Sequence, residues 1–204
     1  MPRLQEWIHQ LEEGTGARHI MRAAALLVLL ALALFYNQRQ FQNFSSPEAM
    51  DVAQVARNLA EGKGYTTQFI RPVSLYLIQK HQGGASLPLA SPHPDLANAP
   101  VYPYVLAGLM TVAPFDFQIA SPSEFQKYQP EVLIAWFNQA LFALALWLVF
   151  RLARKLFDEP VAWVSVIVLG GADLFWRFSV SGLSTMLLLV IFLTVISCLV
   201  WLED

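Results

Sequence analysis

The sequence predicts an all-α membrane protein with about four transmembrane helices and a large, partly helical outer loop between the first and the second. Three observations carry that prediction. The 204 residues are 56% hydrophobic and only 14% charged, whereas soluble domains carry about a quarter charged residues. Apolar runs at residues 20–36, 132–150, 161–178 and 180–202 each approach or reach the length of a bilayer crossing. Residues 37–131, between the first two runs, are too long and too patterned for a tether.

In chain order, residues 1–19 form a cytoplasmic lead-in in which Leu4, Trp7, Ile8 and Leu11 line one helical face. Trp among apolar neighbours suits the headgroup zone. The run at 20–36 reads as an anchor and not as the core of a signal peptide, because the segment before it is long and mixes Glu6, Glu12 and Glu13 with its basic residues. Arg22 lies within that run and snorkels. The short connection at 151–160 carries Arg151, Arg154 and Lys155. Basic short loops face the cytoplasm, so both termini are expected there too. Residues 37–131 and the Arg177 region then face outward, which at a bacterial inner membrane is the periplasm.

Composition excludes some classes. A net charge of -2 without an extended basic patch offers no electrostatic footprint for nucleic acid. Cys198, the single cysteine, permits neither a disulfide framework nor a cysteine metal site.

The outer loop opens with SSPEAMDVAQVARNLAEGKGYTT, residues 45–67. Ser45 stands three residues before Glu48, the spacing of a capping box; Pro47 suits a first turn and Gly62 a helix exit. That box accounts for Glu48 and leaves Asp51, one turn further along the same face, unexplained. Two carboxylates so spaced either hold a divalent cation through their oxygens or take a proton from an acceptor hydroxyl. Acids in a first turn also favour the helix dipole with no further role. Further on, FIRPVSLYLIQKHQ has strand or helix character, and prolines at 88, 92, 94, 100 and 103 break the middle into extended and turn structure. His93 and Asp95 read as part of a turn, because two residues do not make a metal site. The glycines around Lys63 lack the phosphate-loop pattern. Tyr104 to Val112 is apolar yet too short to cross a bilayer, so it lies along the interface or against the spans.

Within the spans, Asn138 and Gln139 are placed to hydrogen-bond between helices. Asp173 and Arg177 lie four residues apart near the outer end of the third span. They either neutralise one another or serve a ligand, since guanidinium suits phosphate oxygens.

An anchor, an acidic Ala-rich helix ending ARNLAEGKGY, the segment APVYPYVLAGLM and paired spans with tiny connections together resemble the N-terminal part of GT-C-fold membrane glycosyltransferases. That family includes protein mannosyltransferases and aminoarabinose transferases, and the likeness covers roughly residues 20–202. The resemblance implies a polyprenyl-phosphate-linked sugar donor at the outer membrane face and an acidic motif, commonly Asp-Glu, in the first outer loop. Here Glu48 matches the second position and Pro47 stands in place of the Asp, so that either Asp51 substitutes for it or the activity is lost. On this likeness Asp51 and Glu48 are the catalytic or metal-holding acids, with a divalent cation as cofactor. Arg177, Asp173, Tyr102 and Tyr104 are the substrate-binding candidates. Four spans are fewer than such enzymes carry, so the chain is expected to be a fragment or to be completed by membrane-protein partners. The alternative is a non-catalytic structural subunit of a larger membrane complex, with Trp136, Trp147, Trp163, Trp176 and Trp201 as contact surfaces.

Overall fold

The computed structural model describes residues 15–83, 91–119, 122 and 127–203. Most of the expected lead-in, residues 1–14, lies outside that set, as does Pro88. The described chain is an all-α membrane protein. Its helices are α1 (Thr15–Phe35), α2 (Pro47–Ala60), α3 (Pro72–His81), α4 (Val101–Val112), α5 (Gln129–Leu156), α6 (Glu159–Gly171), α7 (Asp173–Val180) and α8 (Thr185–Leu202). A π-helical turn, Tyr36–Gln40, extends α1. Two two-residue strands, β1 (Thr66–Thr67) and β2 (His93–Pro94), pair antiparallel with Thr66 opposite Pro94 and Thr67 opposite His93.

Among the described residues three stretches are long and apolar enough to cross a membrane: Ile20–Gln40, Gln129–Leu156 and Thr185–Leu202. The expected third span is not one straight helix, for α6 and α7 meet at a bend of 59°. The 13 residues of α6 reach only about 20 Å at the helical rise, short of a hydrocarbon core of about 30 Å. The ends of the α6–α7 pair nevertheless sit at opposite ends of the bundle. At one end Arg154 pairs with Glu159 and Lys155 donates to the carbonyl of Val200 near the end of α8. At the other, Gly182, just after α7, lies against the Phe44 ring beside the start of α5, where the Phe44 amide meets Glu131. Taken as one broken crossing, the α6–α7 pair brings the candidate spans among the described residues to four.

The break is satisfied locally. The Trp176 indole N–H donates to the carbonyl of Gly170, 2.7 Å away, which the interrupted helix leaves free. Trp176 in turn stacks on Tyr36 with ring centroids 5.3 Å apart and meets Phe142 edge-on at 5.1 Å. These rings join α1, α5 and α7 in one apolar core with Phe44, Leu106 and Met186. Polar side chains add links between helices: Asn37 donates to Gln139, which donates to the carbonyl of Ala33, and Asn138 bonds Tyr102.

The described part of the loop between the first two spans is folded onto the span ends. Helix α4 packs along α2 and buries Tyr102 and Leu106 against α5, so the short apolar segment tucks against the spans as one of the two expectations had it. Helix α3 turns Val73, Tyr76 and Leu77 outward.

Candidate functional site

The cap of α2 differs from the expectation. Ser46, not Ser45, is the N-cap, and its hydroxyl oxygen accepts the Ala49 amide at 3.1 Å. Pro47 then takes the first helical position, which its fixed φ and missing N–H suit. Glu48 thus sits one position too early to close a capping box on Ser46. Instead it is exposed and accepts the Ser46 hydroxyl at 3.0 Å. Its carboxyl is held below the usual glutamate range, first by its own backbone amide at the helix start and then by the Ser46 hydroxyl.

Asp51, one turn further, has the opposite environment. Its side chain is fully buried and accepts three hydrogen bonds: from the Thr67 hydroxyl at 2.5 Å, from Arg71 at 2.7 Å and from the Asn98 amide at 2.7 Å. Each partner is placed by local chemistry. Thr67 lies on β1, and its hydroxyl also accepts the Phe69 amide. Arg71 precedes Pro72, which forces an extended backbone at Arg71 and starts α3 at the proline. Asn98 belongs to a turn organised by Asp95, whose carboxylate accepts the amides of Ala97 and Asn98 and the Asn98 side chain. Asp95 therefore has the turn role expected of it. Gln54 and Asn58, one and two turns on from Asp51, bond the Gln68 amide and the Thr66 carbonyl and so dock the same strand on α2.

His93 lies directly opposite Thr67 in the ladder, so both side chains leave the same face, toward α2. It is buried, and its Nε2 has no hydrogen-bond partner.

The remaining candidates separate. Tyr102 is buried; its hydroxyl bonds Asn138, and burial pushes its pKa up. It serves the joint between α4 and α5. Tyr104 is exposed and stacks on Tyr65 with centroids 6.0 Å apart. The Tyr65 hydroxyl donates to the Asn98 carbonyl, and burial raises its pKa to about 12. Asp173 and Arg177 form the expected i, i+4 pair at 2.5 Å, both more than half exposed, and Asp173 also accepts the Tyr36 hydroxyl. That cluster stands on the span ends with different neighbours from those of Asp51.

A divalent cation fits Glu48 and Asp51 poorly. Both Asp51 oxygens already accept donors, one of them a guanidinium, and Glu48 faces solvent. Among the described residues no group of three or more His, Cys, Asp or Glu side chains is placed to hold a metal ion.

Sequence reasoning missed Thr67, Arg71 and Asn98. The Arg-Pro step was a readable signal of an extended, fixed Arg71; nothing local marks the other two. Comparison with family models, with curated proteins and with solved structures finds no match.

Proposed function

We propose that the chain is the N-terminal membrane module of a GT-C-type glycosyltransferase that takes a sugar from a polyprenyl-phosphate carrier at the outer face of a bacterial inner membrane. One observation carries the reading: the helix that follows the first span offers an exposed, readily ionised acid, Glu48, on a base made rigid by Asp51 and its three donors. Glu48 takes the role of general base and Asp51 that of a positioning residue, the reverse of their order in the sequence argument. In the transfer the acceptor oxygen bonds to the sugar's anomeric carbon as the bond from that carbon to the carrier phosphate breaks. The acceptor proton passes to Glu48, and the polyprenyl phosphate leaves with the bonding electron pair. Arg177, exposed beside Asp173, is the guanidinium available to the departing phosphate. Tyr104 and Tyr65 offer a stacking surface for the sugar. Both termini and residues 151–160 are cytoplasmic in this reading, and membrane-protein partners or downstream helices complete the prenyl site.

A second reading, a non-catalytic subunit of a larger membrane complex, is favoured by the neutralisation of both buried and exposed acids: Asp51 by Arg71 and Asp173 by Arg177. A polyprenyl-phosphate-sugar transfer assay on the complete assembly separates the two. Glu48→Gln is expected to lower the rate by about 10² or more. Undiminished transfer in that variant removes Glu48 as the base, and absence of transfer in the wild-type assembly favours the subunit.

A further inference from the structure

At the end of the bundle opposite the outer loop, α1, α5 and α6 leave between them a groove of about 480 Å³. Its lining includes Arg22 from α1, Arg151 and Arg154 from α5, and the rings of Trp147, Phe150 and Trp163. Basic residues at a cytoplasmic loop need no ligand to explain them. Arg22, two residues past Ile20 at the start of the first crossing, turns to the same groove as the loop arginines, so that charge from two separate helices converges there. Three exposed guanidiniums thus line one groove. Among the described residues a single carboxylate, Glu159, pairs with them, 3.7 Å from Arg154. Arg151 is engaged with the Trp147 face, its guanidinium carbon 4.9 Å from the ring centroid, which leaves its N–H edges available to an acceptor. Like charges held together in this way call for an anion. The walls below them are apolar and lie among the spans, so the anion must carry hydrocarbon.

We propose that this groove is a binding site for an anionic phospholipid, whose phosphate is held by Arg22, Arg151 and Arg154 and whose acyl chains run along Trp147, Phe150 and Trp163. Guanidiniums recognise phosphate oxygens through paired N–H donors, and basic pockets between spans on the cytoplasmic side are suited to such headgroups. The site is independent of sugar transfer and holds under either functional reading.

The test uses the full chain reconstituted in vesicles, with tryptophan quenching by brominated phosphatidylglycerol compared with brominated phosphatidylcholine. Wild type is expected to prefer the anionic lipid by about fivefold or more, the worth of one basic residue near a charged headgroup. The Arg22→Gln, Arg151→Gln, Arg154→Gln variant is expected to lose that preference. A variant with Arg39, Lys63 and Lys80 changed to Gln removes as much charge at the other end and is expected to keep it. Should the first triple variant fail to fold by circular dichroism, Arg22→Gln alone carries the comparison. Equal quenching by both lipids in wild type, or equal losses in the two variants, overturns the proposal. So does displacement by millimolar glycerol phosphate, which would make the ligand a soluble phosphate.

Discussion

Asp51 and Arg71 face one another at 2.7 Å across the loop between the first two spans, the carboxylate fully buried and the guanidinium about one-third exposed. The pair joins α2 to the start of α3, and its two other donors join it to β1 and the Asp95 turn. Breaking such a pair from one side strands a buried charge. Asp51→Asn places an amide donor among three donors and is expected to destabilise the loop by about 3 kcal/mol. Arg71→Met in the Asp51→Leu background is expected to cost much less than either change alone. Hydrogen exchange across residues 47–60 reads both, and strictly additive effects would show that the pair is not coupled.

The cap makes a sharp distinction between adjacent serines. Ser46→Ala is expected to cost about 1 kcal/mol in local helix stability, while the exposed Ser45→Ala leaves it unchanged. Exchange rates of the Ala49 and Met50 amides in the two variants decide the matter.

Glu48 titrates below an ordinary glutamate, and its hydroxyl partner is one of the causes. A depressed folded pKa contributes stability above the unfolded value, near 4.3, that is lost as pH falls through the folded value. The carboxyl carbon of Glu48 is therefore expected to titrate below that value by NMR and to move up toward it in Ser46→Ala. A midpoint unmoved by the substitution would exclude the Ser46 contribution.

Gly182 has φ +77°, and a Cβ there would lie 2.5 Å from the Phe44 ring. Gly182→Ala is expected to destabilise the joint between the outer loop and α7 by about 2 to 4 kcal/mol, combining left-handed backbone strain with overpacking. Adding Phe44→Leu is expected to recover part of the loss, read by thermal unfolding in detergent. No recovery would place the whole cost in the backbone.

The basic loop predicts an orientation that labelling can check. With Cys198 changed to Ser, cysteines at positions 63 and 80 are expected to react with an impermeant reagent in intact cells, and one at position 155 only after permeabilisation. The reverse pattern would invert the topology.

The spans were legible because hydropathy reports burial in lipid directly, residue by residue. The break at Ala172 was not, since GGAD satisfies the same hydropathy whether straight or bent and only the distant Trp176 and Tyr36 reveal where the free carbonyl goes. Capping chemistry located α2 to within a residue, but SS offers two hydroxyls and the spacing to Glu48 favoured the wrong one. That slip also misassigned the acids. Asp51 looked unexplained because its partners lie 16, 20 and 47 residues away. Likewise Tyr102 and Tyr104 are equivalent in the pattern YPY, and only packing against Asn138 separates the buried one from the exposed one.

The tiny ladder between β1 and β2 brings Thr67 and His93 side by side, so the chain leaves α2's neighbourhood and re-enters it at a single doorway. Helix α3, Pro72–His81, hangs from that doorway as a cassette. Closing a longer excursion costs only logarithmically more entropy. Descendants of this chain can lengthen, shorten or exchange the cassette while the Asp51 keystone stays set, provided the Arg-Pro step at its threshold is kept.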